Sequence, residues 1–215
     1  IKNSKIRIYK EYSYDIDPTK LTKQIEKITN YKIRQQNLYD EIKRVENSDD
    51  PNKEKKIENL KKKYTIGNLD FDSIVIADFS ESLKSVITSL LYTDVSPKDK
   101  YFITFNQWFD DSLLTEKNSQ PLYFPSININ NLIEFEKKFE NQFNQKPNHL
   151  SLLSYDLLGL IYYLSIKTDF SDVNNLFKKE NSFKGKIGIF DVKNNSIHHR
   201  LNFYKIENNK FKEIF

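Results

Sequence analysis

Ser73-Ile74-Val75-Ile76-Ala77 is a short unbroken apolar run, and its reading decides the fold. A strand that is apolar on both faces belongs in a parallel sheet covered by helices on both sides. Downstream, Leu83, Val86, Ile87, Leu90 and Leu91 recur at helical spacing. Tyr101-Phe102-Ile103-Thr104-Phe105 then reads as a strand, and Pro121-Leu122-Tyr123-Phe124 as a shorter one. Upstream, Ile6-Arg7-Ile8-Tyr9 alternates apolar and polar residues, a strand pattern, and runs into the polar loop Glu11-Tyr12-Ser13-Tyr14-Asp15. Strands alternating with helices in this order argue for an α/β domain with a doubly wound parallel sheet. In such a sheet the site lies beyond the carboxyl ends of the strands. Those ends carry Tyr12, Ser13 and Tyr14; Asp78, Phe79 and Ser80; and Asn106, Gln107 and Trp108.

Between the first two strands lies a long charged insertion. Asp17-Pro18 is an N-cap followed by proline at the first helical position. Leu21, Ile25 and Ile28, then Leu38, Ile42 and Val45, continue at helical spacing over about residues 19 to 47, with a break expected near Asn30-Tyr31. Ser48-Asp49-Asp50-Pro51-Asn52 is a turn, and a second helix with Ile57, Leu60 and Tyr64 on one face follows, closed by Gly67. The two read as an antiparallel helical hairpin, an arm over 19–65 that spans roughly 40 Å at 1.5 Å per residue and stands partly clear of the body.

Toward the C-terminus, Leu132, Phe135, Phe139 and Phe143 mark a helix that ends at Lys146-Pro147, and a very apolar helix runs from Leu150 to about Ile166. The rhythm then breaks into Gly185 to Asp191, a turn at Lys193-Asn194-Asn195, and Ile197 to Ile206, a hairpin signal.

With 215 residues and 25.7 kDa, the chain forms one large domain or two small ones and buries enough surface to dispense with disulfides. Cys is 0, which excludes thiol catalysis and thiolate metal sites; Met is also 0, as expected of a processed chain or a fragment. No apolar run approaches the ~18 residues of a membrane helix and no signal peptide is visible, so a soluble piece is expected. The balance of 34 basic and 30 acidic residues gives +4. An abundance of Lys, Asn and Ile with Ala77 as the sole alanine is the mark of AT-rich coding, so the lysine excess does not identify a partner. Phe and Tyr are expected to fill the core volume that Ala, Met and Cys would share.

Chemistry is scarce. With Gly at 4, no nucleophile elbow and no phosphate-cradling loop exists. His198 and His199 are adjacent in a strand and point to opposite faces, so a shared metal is not expected. Asp49-Asp50 and Asp110-Asp111 sit in turn contexts, where aspartate caps rather than catalyses. The runs Lys53-Lys55-Lys56 and Lys61-Lys62-Lys63 are interleaved with Glu54 and Glu58, a solvated helix face and not a nucleic-acid groove. Trp108, just past a strand end, lines a cleft or packs in the core; both readings stand.

The stretch from Phe71 to Phe215 resembles the C-terminal half of the type I periplasmic binding proteins, the fold of the leucine/isoleucine/valine-binding family. The resemblance rests on Asn144 to Asp156 (NQKPNHLSLLSYD), with its Tyr-Asp opening a helix, and on Phe183-Lys184-Gly185 with Gly188-Ile189-Phe190-Asp191. Thr65-Ile66-Gly67-Asn68-Leu69-Asp70-Phe71-Asp72 and Trp108-Phe109-Asp110-Asp111 look like the branch of penicillin-binding protein activators. The resemblance implies a non-enzymatic, two-lobed protein of the bacterial envelope, periplasmic and held to the membrane only through an upstream lipid anchor.

Three parts follow: an α/β lobe over 1–147 carrying the arm, helices over 148–180 that pack on the other lobe, and a C-terminal β-hairpin over 181–215 returning to the first. No cofactor, metal or nucleic acid is expected. The expected partner is a penicillin-binding protein, for which the chain would be an adaptor of peptidoglycan synthesis. The alternative is a small-molecule ligand such as an amino acid, held by a solute receptor of the transport type. Candidate residues for the ligand-facing wall are Tyr12, Ser13, Asp78, Ser80, Asn106 and Trp108; no clamp residue of the family matches, and none is carried over.

Overall fold

The structure is a computed structural model that describes residues 6–15, 17–167, 180–194 and 196–214. Two compact units divide the chain: one holds the residues up to Phe105 with Thr115–Leu122 and Glu207–Asn209, the other Asn106–Leu114, Tyr123–Ile206 and the C-terminal residues from Lys210.

In the first unit, β1 (Ser73–Ile76) pairs in parallel with β2 (Tyr101–Thr104), joined through α4 (Ser80–Tyr92). The register sets Ile74 against Phe102 and Ile76 against Thr104. Leu83, Val86, Ile87 and Leu90 of α4 are all at most 3% exposed, so its apolar face is spent on packing. The class of the fold is α/β. β1 departs from the expected strand buried on both faces: it is an edge strand, and Val75 is 63% exposed. Its continuous apolar run reports high β propensity rather than cover on both sides. Residues 6–15 also depart from expectation, since they adopt no regular secondary structure. Alternation alone does not make a strand without a neighbour to complete the ladder; tyrosine side chains hold this segment instead, Tyr9 donating to Asp70 at 3.1 Å and Tyr14 donating to Asp78.

The insertion forms three helices, α1 (Pro18–Ile28), α2 (Tyr31–Glu46) and α3 (Lys53–Lys61). Asp17 caps α1 by accepting from the Thr19 and Lys20 amides, and Asn30 turns the chain at φ 51° where the break was expected. α1 packs on α4, burying Leu21 and Ile25, so only the distal part of the arm stands clear; α3 buries no residue. α3 ends at Lys61 rather than at Gly67, because Thr65 and Ile66 turn back to Asp94 and Arg34.

Arg34 is the anchor of the arm. It is 7% exposed and donates to the carbonyls of Thr93 and Asp94 at 3.1 and 3.2 Å, filling acceptor positions at the C-terminus of α4. Arg34→Met is therefore expected to destabilise the unit by about 2–3 kcal/mol, since two carbonyls lose charge-assisted partners. Urea unfolding would measure it, and a loss under about 0.5 kcal/mol would refute the anchoring role.

The second unit contains α5 (Ile129–Phe143), α6 (His149–Lys167), β4 (Asn181–Lys184), β5 (Ile189–Lys193), β6 (Ser196–Arg200) and β8 (Lys210–Glu213), with β3 (Leu122–Ser126) except Leu122 and β7 (Asn202–Glu207) except Glu207. β3, β7 and β8 lie side by side, while β4, β5 and β6 form a separate antiparallel sheet. The expected run from Ile197 to Ile206 thus breaks at Leu201 into strands of two sheets, and Asn208-Asn209, with φ 54° and 58°, turns a second hairpin. Aromatic packing fills this core as expected: Phe109, Phe124, Tyr204 and Phe211 meet edge-on or stacked at centroid separations of 4.9 to 6.0 Å.

α6 corrects the expectation that no helix could span a membrane: His149–Ile166 is long and apolar enough by length and composition. Scattered polar residues hide this from a search for uninterrupted runs. One stripe of the helix, Leu152, Asp156, Leu160 and Leu164, is buried at 0–3% exposure, while Leu150, Leu158, Tyr162 and Ile166 are 67–70% exposed. α6 covers the expected apolar helix from Leu150 to about Ile166; the rest of the helical stretch expected over 148–180 falls largely on residues 168–179, which lie outside the described residues.

Asp156 is the one charged residue in that buried stripe. Its carboxylate accepts from the amides of Lys186 and Ile187 at 2.7 and 2.8 Å, clasping the β4–β5 turn to α6. Gly185 permits the approach: a Cβ there would lie 2.2 Å from Asp156 Oδ2.

Candidate functional site

The carboxyl ends of β1 and β2 present a polar and aromatic surface within the first unit. Thr104 Oγ1 donates to the carbonyls of Ile76 and Asp78 at 2.9 and 3.3 Å, tying the exit of β1 to β2. Asp78 Oδ1 accepts from the Phe79 amide at 2.8 Å, and its other oxygen accepts from the Tyr14 hydroxyl. Burial, and then the bond and charge of Asp78, push that hydroxyl well above the usual phenol range, so it stays protonated and keeps donating.

This contact brings the chain carrying Tyr12 and Ser13, both exposed, to the end of β1. Ser80 opens α4 at φ 48°, and Phe79 in the N-cap position provides no side-chain acceptor for the first-turn amides. The helix end is left with donors and a partial positive charge. The rings of Phe79 and Phe105 lie 6.4 Å apart and are 49% and 47% exposed.

Of the six candidate residues, Tyr12, Ser13, Asp78 and Ser80 belong to this surface; Asn106 and Trp108 belong to the second unit. Asn106 Oδ1 accepts from Ser126 Oγ at 2.8 Å and from the Trp108 amide at 2.9 Å, which orders the loop. Trp108, at φ 51°, packs beside Ile127, Phe135, Leu152 and Ile187, and its ring stacks on His149 at 4.7 Å. Core packing, one of its two readings, describes these contacts. Phe105 is absent from the six candidates because it reads as the last residue of a strand rather than as part of the loop beyond it. Its position beyond the end of β2 was the available signal.

The remaining polar clusters do structural work. Asp50 accepts from the Asn52 amide and pairs with Lys56, and Asp110 accepts from the Ser112 amide, both turn duties. Among the described residues no group of three or more His, Asp or Glu side chains is placed to hold a metal.

No protein-family model and no curated protein matches the sequence. Among solved structures, the chain is similar to an extracellular ligand binding receptor from Desulfohalobium retbaense, at 15% identity and a TM-score of 0.48, over 66% of this chain and 26% of that one. It is also similar to the branched-chain amino acid transporter substrate binding protein LivJ from Streptococcus pneumoniae in complex with isoleucine, at 15% identity and a TM-score of 0.43, over 67% of this chain and 45% of that one. In both cases the match spans less than half of the other protein's length.

Proposed function

We propose that the chain is a non-enzymatic binding module of the bacterial envelope that recognises a small solute of the amino-acid kind at the carboxyl ends of β1 and β2. The observation that carries the reading is the half-exposed Phe79–Phe105 pair beside the Asp78 carboxylate. Each element has a counterpart in a zwitterionic apolar amino acid. Asp78 suits the ammonium group, the open amides of α4 suit a carboxylate, and the two rings suit an aliphatic side chain. Recognition rather than catalysis fits Asp78, whose carboxylate is engaged by the Tyr14 hydroxyl and the Phe79 amide.

Binding would be followed by the shift in thermal midpoint with an amino-acid panel, because a ligand that binds only the native state raises it. Phe79→Ala or Phe105→Ala should weaken binding by about 1–3 kcal/mol. Unchanged affinity in both variants would remove the site. A second reading, an adaptor that engages a penicillin-binding protein, is favoured by α3, none of whose residues is fully buried. Reversing the charge of Lys55 and Lys62 should then abolish capture of that partner; intact capture would end the adaptor reading.

A further inference from the structure

β4 is the outer strand of its three-stranded sheet, and the register fixes which of its backbone groups are left over. The Gly185 amide donates to the Gly188 carbonyl at 2.8 Å, closing the hairpin between β4 and β5. Hydrogen-bonded and non-hydrogen-bonded pairs alternate along an antiparallel ladder. With Gly185 bonded to Gly188, Phe183 is bonded to Phe190, while Lys184–Ile189 and Ser182–Asp191 are the non-bonded pairs. The amides and carbonyls of Ser182 and Lys184 therefore point away from β5. Among the described residues no strand lies on that side.

This edge opens on a groove of about 620 Å³. One bank is α6, through Tyr155, Leu158, Gly159 and Tyr162; the other is β4 with its turn, through Phe183 and Lys184. Among the described residues neither β5 nor β6 lines it, which places the groove on the outer side of β4. Gly159 lets the banks meet closely, since a Cβ there would lie 3.1 Å from Phe183 Cζ. Above that floor Tyr155, Leu158 and Tyr162 are 58–69% exposed.

We propose that the groove takes an extended peptide of a protein partner as a fourth strand beside β4. Each wall specifies part of that peptide. The outward amides and carbonyls of Ser182 and Lys184 call for a second backbone at strand spacing, which an extended segment offers and a helix does not. Side chains alternate across a strand, so every second residue of the peptide faces Tyr155, Leu158 and Tyr162 and should be apolar. The α6 bank offers those residues no open charge: between His149 and Lys167 its one charged residue is Asp156, whose oxygens accept from Lys186 and Ile187. The two ends of the edge differ in sign. Lys184 is exposed at the turn end, whereas Glu180 precedes the strand at the other and pairs with Lys193 at 3.1 Å. An acidic residue of the peptide therefore belongs beside Lys184. This surface lies in the second unit and is independent of the solute reading.

Fluorescein-labelled peptides of alternating valine and threonine, with glutamate at one end or the other, test this on the whole chain. Binding should be read by anisotropy and by amide hydrogen exchange together. On saturation, exchange of the Ser182 and Lys184 amides should slow about tenfold or more, while the Phe183 amide, already bonded to Phe190, changes little. N-methylating one alternate set of peptide amides should weaken binding at least about tenfold, and methylating the other set should not. Lys184→Glu should weaken the glutamate peptide about three- to tenfold and favour a lysine-ended one. No binding up to about 1 mM peptide overturns the proposal, as does saturation without slower exchange at Ser182 and Lys184. A chain that dimerises and protects those two amides without peptide would make the occupant a second copy, which also overturns it. The peptide arms use the unaltered chain, so they decide the matter even where Lys184→Glu fails to fold.

Discussion

Asp156→Ala is expected to cost the second unit about 3–5 kcal/mol, the largest effect of any single truncation considered. The carboxylate is 3% exposed and accepts two buried backbone amides. Hydrogen bonds to a charged acceptor contribute about 1.5–3 kcal/mol each, and the deletion leaves both donors without a partner. Urea unfolding at neutral pH reads the change as a lower midpoint at constant slope. Asp156→Asn keeps one acceptor oxygen but turns a donor toward the second amide, so it should lose nearly as much. If Asn costs less than about 1 kcal/mol, charge and second acceptor are both dispensable and the clasp has been misread.

Gly185→Ala is the next largest, at about 2–4 kcal/mol. The new methyl would sit 2.2 Å from Asp156 Oδ2 and 2.6 Å from its Cγ, inside contact distance of a side chain pinned by two amides. The helix or the turn must shift, and either movement lengthens the bonds just described. A double-mutant cycle makes the test specific. In the Asp156→Ala background the obstructing atoms are gone, so Gly185→Ala should become nearly neutral, with a coupling of about 2 kcal/mol. Additive costs would show that Gly185 is needed for its backbone and not for the room it leaves.

These two residues also show how far a sequence can be read. Asp156 and Gly185 were quoted together as parts of two family-like motifs, but their contact was invisible, because they are far apart in the chain. A local signal did exist. Leu152, Asp156, Leu160 and Leu164 recur every four residues, and a carboxylate in such a buried stripe needs a partner. The helical positions of α1, α4 and α5 were legible because each carries an apolar face at the expected period. The cap at Asp17 and the break at Asn30 were written in local chemistry too. What failed to show was cover. Val75 and residues 6–15 carry strand-like sequences, yet whether a strand is paired or buried depends on neighbours that its own residues do not encode. The candidate surface was half legible for the same reason: strand ends located Asp78 and Ser80, but the exposure of Phe79 and Phe105 belongs to the assembled sheet.

Nine described residues other than glycine adopt positive φ, and five of them are asparagines: Asn30, Asn144, Asn194, Asn208 and Asn209. Asparagine is the side chain that best tolerates this backbone after glycine. The chain has only 4 glycines, and its left-handed turns fall largely to asparagine instead. Relatives encoded by GC-rich DNA should carry glycine at these five positions while keeping the same turns. A search for helix ends and hairpins in chains of this composition therefore does better to follow asparagine than glycine.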